Sequence, residues 1–304
     1  MHTFLTLMAT EFLKLRRSAA IRTVWMLPLL FLAFEFMLIE RPAIRLQALT
    51  PELSRHLDFV QIKMVGALWG GFFHPLMVAL LPALLFLPEH RFKLWRHLHT
   101  MPVPRRGIFL AKALTLALLS ASTLALIALG LWVERGLLAR INPLLAFPFH
   151  GLSMLKVLVW LWIGSLPLLA LYLWVSDRVN SLAVPVVFGL VGALLTIALS
   201  GQDVPKPWKR DLNPWLLPYA CAQQAIKDSD GRQKVHEAAK LFQEEPNILR
   251  LPNGKKVRTW QNVPDDVLWP PAPPTPLKVL GAFSFGAGAV LLGIGLADAG
   301  RRRV

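Results

Sequence analysis

The sequence predicts an all-α polytopic membrane protein with six transmembrane helices, an amino-terminal interfacial helix and an extracytoplasmic insertion between helices 5 and 6. Three observations lead to this fold class: the composition, the length of the apolar stretches and the positions of the basic residues. The chain has 304 residues, of which 55% are hydrophobic and 17% charged, and its mean hydropathy is +0.49. Because soluble domains carry about a quarter charged residues, this composition disfavours an ordinary soluble protein.

The apolar stretches have the length of membrane spans. A helix needs about 20 apolar residues to cross about 30 Å of hydrocarbon. Six stretches reach this length, and none has the polar stripe of a soluble helix. The six predicted spans are Ile21–Ile39, Met64–Leu87, Ile108–Val133, Ser153–Val175, Ser181–Ser200 and Leu277–Ala297. Lys112 lies near the start of the third span, so we expect its ammonium group to reach the lipid headgroups.

The basic residues predict the orientation of the chain. With a cytoplasmic amino terminus, thirteen Lys and Arg residues fall in cytoplasmic segments and five in the two short outside loops. Cytoplasmic loops are enriched in Lys and Arg, so both termini are expected in the cytoplasm. The net charge of +15 then reflects membrane orientation, and no nucleic-acid partner is expected.

The amino-terminal residues 1–20 are predicted to form a cytoplasmic interfacial amphipathic helix. Leu5, Met8, Phe12 and Leu15 recur every three or four residues and therefore share one helical face. The rest of the chain divides into spans 1–5 in residues 21–200, an outside segment in 201–276, and the sixth span with a basic cytoplasmic tail in 277–304.

The outside segment is expected to form a small cap over the membrane exit. Asn213 begins a predicted short helix that runs to Ile226, and residues 232–245 fit a second helix. An Asn253-Gly254 turn and a Pro-rich run then return the chain to the last span.

The inside loop 88–101 is predicted to contain a short amphipathic helix. Phe92, Trp95 and Leu98 are spaced by three residues, basic residues separate them, and Pro102 and Pro104 end the pattern. A helix held between two spans by short connections moves when the spans move, which suits it to contact a peripheral partner. The alternative is a basic loop held by anionic lipid.

Two polar residues lie within the predicted spans. Glu35, near the outer end of the first span, either lines a transport path, reaches the outer headgroups or pairs with Lys63 or Arg41. His74 precedes Pro75 in mid-span, where it acts either as a proton relay or as a hydrogen-bonding partner of a backbone carbonyl.

Catalytic motifs are absent from the sequence. There is no P-loop, no H-E-x-x-H motif and no G-x-S-x-G motif. We therefore expect no catalytic residue, no bound metal and no cofactor on this chain.

Several of these features together resemble the type-2 ABC transporter permeases. They are the amino-terminal segment E-F-x-K-L-R-R-S, the six spans, and an inside loop that carries Glu89, Leu94, Pro102, Val103, Arg105 and Lys112. Within that group the chain is most similar to bacterial bacitracin-resistance and lantibiotic-immunity permeases. The resemblance covers about residues 1–200 and 277–304.

The resemblance implies a half-transporter in the bacterial plasma (inner) membrane. It would pair with a second permease subunit, identical or related, and with two ABC ATPase subunits that bind ATP and Mg; membrane lipids are its other partners. The inside loop would be the coupling helix that contacts the ATPase, with coupling residues Glu89, Arg91, Lys93, Leu94, Trp95, Arg96, Leu98, Pro102, Val103 and Arg105.

The resemblance also implies ATP-driven export of a hydrophobic or amphipathic substrate, a peptide antibiotic or a lipid-like compound. Glu35 and His74 are the candidates for the substrate path. Two other functions stay open from the residues alone: a membrane-embedded enzyme acting on lipid, and a proton-coupled secondary transporter. Both would use Glu35 or His74, and neither needs a partner ATPase.

Overall fold

The computed structural model describes residues 2–16, 18–37, 61–92, 104–141, 151–179, 181–200, 210–228, 248–250, 256–258 and 275–301. The helix predicted over 232–245, the Asn253-Gly254 turn and most of the inside loop lie outside these ranges. The helices are α1 (His2–Leu15), α2 (Ala19–Glu35), α3 (Gln61–Arg91), α4 (Arg105–Ile141), α5 (Gly151–Arg178), α6 (Ala183–Ser200), α7 (Leu217–Asp228) and α8 (Leu277–Arg301).

The described helices have the dimensions of a multi-pass membrane protein. Helices α3, α4, α5, α6 and α8 are each long and apolar enough to cross a membrane. Helices α1 and α2 meet at a bend of 66° and provide a sixth candidate if the pair is one span. The predicted bundle of apolar helices is confirmed, and α4, at 37 residues, extends furthest beyond its predicted span.

A short pair of strands departs from the expected all-helical fold. Strands β1 (Ile248–Arg250) and β2 (Lys256–Arg258) pair antiparallel, with Ile248 opposite Arg258. They flank the predicted Asn253-Gly254 turn, and Asn-Gly is a sequence that favours tight connections between antiparallel strands. The prediction of an all-α fold class is confirmed for the bundle as a whole, and this pair of three-residue strands is a small addition to it.

Helix α3 changes its geometry partway along. Residues Val65–Phe73 are π-helical, and the backbone N–H of His74 donates to the carbonyl of Trp69, five residues earlier. The chain then continues as an α-helix from His74 to Arg91. A Cβ atom on Gly66 would lie 2.8 Å from Ile226 Cδ1 in α7, so the small residues of the π segment allow close packing.

Residues 210–228 pack inside the bundle, where we had expected a cap outside it. A Cβ atom on Gly164, near the middle of α5, would lie only 2.8 Å from the Cα atom of Pro218. Trp215 Nε1 donates a hydrogen bond of 3.0 Å to the hydroxyl of Tyr172 on the same helix. Leu217, Ala220, Cys221 and Ala222 are buried. Residues 217–226 of α7 are all buried, including Gln223 and Gln224, so neighbouring parts of the bundle surround this helix where a cap would face water.

The remaining apolar surface lies on the outside of the bundle. Helix α6 exposes Val187, Phe188 and Leu194, and α8 exposes Phe285 and Val290. Hydrocarbon solvates such side chains as well as other apolar residues do, so these faces suit a membrane.

Candidate functional site

Three segments that the sequence analysis treated separately meet at one buried cluster of charges. Lys112 Nζ of α4 lies 2.7 Å from Glu89 Oε1 of α3 and 3.0 Å from Glu11 Oε2 of α1. Lys14 Nζ lies 2.7 Å from Glu11 Oε1 and 3.3 Å from Glu89 Oε1. We call Glu11, Lys14, Glu89 and Lys112 the ionic junction.

Local structure explains why these four side chains converge. Glu11 and Lys14 are three residues apart on α1 and therefore lie on the same face. Glu89 is in the last turn of α3, and Lys112 lies two turns after the start of α4. Helix α1 packs along α4, where Thr115 Oγ1 contacts Met8 Sδ at 3.9 Å.

Three of the four side chains in the ionic junction are shielded from solvent. The exposed fraction is 1% for the Lys112 side chain, 2% for Glu89 and 4% for Glu11, whereas Lys14 is 43% exposed. Lys112 Nζ also lies 4.9 Å from the ring centre of Phe86. Two carboxylates and two ammonium groups balance each other, and buried charges are stable only when they are paired in this way.

The junction corrects the position that we expected for Lys112. Its ammonium group does not reach the headgroups, because two carboxylates inside the protein are closer partners. Burial raises the pKa of the Glu11 carboxyl, but the nearby ammonium groups of Lys112 and Lys14 outweigh this effect, and the pKa lies below its usual range. Glu11 is therefore ionised at neutral pH.

The described structure includes three of the predicted coupling residues. The Glu89 side chain is buried in the ionic junction, so it faces its own chain at the start of the inside loop. Arg91 is exposed, and its guanidinium carbon lies 5.8 Å from the ring centre of Phe92. Arg105 begins α4 at the other end of the loop. The seven others, Lys93, Leu94, Trp95, Arg96, Leu98, Pro102 and Val103, lie outside the described residues, and their ATPase contact stays a prediction.

Further contacts join two other helices, α5 and α8, to the same end of the bundle. Arg178 at the end of α5 forms a two-point ion pair with Asp298 of α8, and its Nε lies 3.0 Å from Oδ2. Gly300 of α8 lies directly beneath the guanidinium of Arg106 in α4. The predicted cytoplasmic ends of α3, α4, α5 and α8 are thus linked on both sides of the inside loop.

A second polar cluster lies at the opposite ends of α2, α3 and α4. The Glu35 carboxyl is fully buried and interacts with the side chains of Gln61 and Glu134, and Arg135 lies close enough to act on it electrostatically. Glu35 therefore contacts neighbours inside the protein rather than the headgroups. No described contact joins it to Lys63, one of the two expected partners; Arg41 lies outside the described residues.

His74 is fully buried where the π segment of α3 ends. Its ring centre lies 6.2 Å from that of Trp69. We had expected its imidazole to bond a backbone carbonyl, but among the described residues neither ring nitrogen has a hydrogen-bond partner. The backbone N–H of His74 satisfies the carbonyl of Trp69 instead.

Sequence reasoning missed Glu11 and Lys112 as site residues. The signal for Glu11 was the one acidic residue of a predicted amphipathic helix, three residues before a lysine. The signal for Lys112 was a lysine near the start of a predicted span, with Glu89 just beyond the end of the preceding span. Opposite charges at the joined ends of neighbouring spans indicate an ion pair.

The described residues form a multi-pass membrane protein: a bundle of apolar helices in which an ionic junction joins the end of α3 to the first turns of α4. A comparison with protein families defines this class more closely. The family model of the ABC-2 family transporter protein matches residues 7–195, which is more than half of the chain. The chain therefore belongs to the ABC-2 transporter family, and it is a multi-pass permease component of an ABC transporter. No curated protein and no solved structure matches it.

Proposed function

We propose that the chain is the translocation subunit of an ATP-driven exporter in a bacterial plasma membrane, with both termini in the cytoplasm. ABC-2 permeases normally work with ATPase partner subunits. In the proposed assembly two ATPase subunits bind ATP and Mg, and a second permease subunit, identical or related, completes the path. This chain binds no cofactor of its own. The cargo is a hydrophobic or amphipathic molecule, a peptide antibiotic or a lipid-like compound.

The observation that carries this proposal is the ionic junction beside the inside loop. Glu89 precedes the loop and Lys112 follows it, and their side chains are 2.7 Å apart. A force on the loop therefore acts on α3 and α4 together, and through Glu11 it also acts on α1. In this way binding of ATP to a partner would tilt several helices as one unit. Helix α1 then lies along the cytoplasmic membrane surface, and α2 crosses the membrane alone.

Co-purification tests the predicted contact with the ATPase. The double variant Trp95→Ala/Leu98→Ala should lose the ATPase during affinity purification and stay in the membrane in normal amount. The double variant Leu129→Ala/Trp132→Ala is a matched control, because it removes a Leu and a Trp at the same spacing from the exposed face of α4. Equal recovery of the ATPase with both variants would contradict the coupling assignment.

Family membership favours a transporter over a membrane-embedded enzyme, which is one of the two alternatives that the residues left open. Membership of a family of transporter membrane components gives no support to a membrane-embedded enzyme. A proton-coupled transporter would move cargo without an ATPase. Reconstitution of the purified chain alone into vesicles tests this directly, since the proposed exporter should move nothing until ATPase and ATP are added.

A further inference from the structure

The π segment of α3 is the place where most of the bundle meets. Residues Val65–Phe73 contact α2, α5, α6 and α7. π-helical turns are rare, they cost stability relative to an α-helix, and they occur often at functional sites. The position of this segment in the centre of the bundle raises the question of what its side chains could bind.

An aromatic cluster occupies the surface between α2 and the π segment. The Phe31 ring of α2 meets Trp69 edge-on with ring centres 5.4 Å apart, and it meets Phe73 in the same manner at 5.9 Å. Trp69 and Phe73 are stacked at 5.9 Å. Such rings form a large apolar surface with the polar indole N–H of Trp69 at its edge.

Polar atoms without partners lie within this aromatic surface. Among the described residues, Trp69 Nε1 and both ring nitrogens of His74 are buried and have no hydrogen-bond partner. Buried polar groups are nearly always paired in proteins, and an unpaired one destabilises the fold more strongly where no water is at hand. Leucine or phenylalanine at position 74 would avoid this penalty. Within the described part of the chain, nothing offsets the cost of burying these two side chains.

The polar groups also form a series along the joint between α2 and α3. His74 lies deepest in α3, Trp69 and Phe31 follow, and one turn beyond Phe31 the carboxyl of Glu35 contacts Gln61. The series runs from the middle of the bundle towards the predicted outer surface. It alternates hydrogen-bonding groups with apolar rings, as an amphipathic molecule alternates polar and apolar parts.

We propose that Phe31, Trp69, Phe73 and His74 form an occluded binding site for an amphipathic cargo, an inference that rests on the proposed export function. The apolar part of the cargo packs against the three aromatic rings. A carbonyl or hydroxyl oxygen next to that part accepts hydrogen bonds from Trp69 Nε1 and from the His74 ring. The site opens between α2 and α3 when ATP drives the helices apart, and Glu35 lies at its outer end.

Thiol labelling tests whether position 74 lies on a path that opens. In a Cys221→Ala background, the variants His74→Cys and Leu81→Cys are compared in membranes that contain the co-purifying ATPase. Leu81 is a matched control, since it is fully buried on the same helix in another part of the core. The membrane-impermeant reagent MTSET is added from outside, with and without ATP and vanadate. We expect labelling at position 74 only with ATP and vanadate, and none at position 81. No labelling at 74 in any state, or equal labelling at both positions, overturns the proposal.

Thermal stability separates a binding site from a structural one without any partner. If the His74 ring awaits a ligand, His74→Leu leaves the melting temperature of the purified chain unchanged or raises it, by up to about 4 °C for one relieved polar group. A structural hydrogen bond of His74 would instead make the variant melt at a lower temperature, and this result also overturns the proposal. ATPase recovery from the same preparations reports on the proposed function independently.

Discussion

Replacement of Lys112 by methionine is the sharpest test of the ionic junction. The Lys112 side chain is 1% exposed and neutralises two carboxylates, at 2.7 Å and 3.0 Å. Methionine has a similar apolar stem but lacks the ammonium group and its hydrogen bonds, which leaves Glu11 and Glu89 with Lys14 as the remaining junction cation. Removal of one partner from a buried ion pair typically costs about 3–5 kcal/mol of stability. We therefore expect the melting temperature to fall by about 10 °C.

The assay is thermal unfolding of the detergent-solubilised chain, followed by size-exclusion chromatography of a fluorescent fusion. Lys156→Met is the matched control, because Lys156 lies near the start of another spanning helix, is only half-buried and takes part in no described ion pair. The double variant Lys112→Met/Glu89→Gln should recover part of the loss, since it removes a charge from each side of the pair. If Lys112→Met melts no earlier than Lys156→Met, the junction does not hold these helices together.

Three further predictions follow from other parts of the structure. Gly164→Ala should lower the melting temperature and the free energy of unfolding, the latter by about 1–3 kcal/mol, because the new methyl group would clash with backbone atoms of α7. Gly286→Ala is the control, since a Cβ atom there would have nothing within 4 Å. Equal melting temperatures for the two variants would contradict the position of α7. Folding lowers the pKa of Glu11, so the ionised carboxylate contributes fully to the stability of the fold above its usual pKa of 4.5, and this contribution is lost as the pH falls further. When the melting temperature is measured from pH 7 to pH 3, it should therefore fall less in Glu11→Gln than in the parent. Glu35→Gln should leave the pH profile of ATP-driven transport unchanged, whereas a displaced profile would favour proton coupling at this carboxyl.

The spans were predictable because their physical signal is local. The length of a run of apolar residues corresponds directly to the thickness of the hydrocarbon layer, so α3 to α6 and α8 were predicted from composition and length alone. The ends of the helices were harder to predict, since α4 continues past Val133 into polar residues that interact with α2. Such contacts cannot be predicted from length and hydropathy.

The position of α7 and the partners of Lys112 were not predictable by the same means. Helix α7 is short, follows a charged stretch and resembles a surface helix in sequence; its burial depends on the space that Gly164 and Gly66 leave for it. Lys112 and Glu11 are about a hundred residues apart in the chain, so their pairing depends on how the helices pack. For His74 the sequence identified the residue but assigned it a partner that the described structure lacks.

The ionic junction also constrains the order in which this protein is assembled in the cell. Helix α1 leaves the ribosome before α4, and the second lysine that pairs with Glu11 is synthesised 101 residues after it. Until α4 has been inserted, Lys14 is the one junction cation available to the two carboxylates. A chain interrupted before Lys112 therefore lacks the buried contact that joins α1 and α3 to α4.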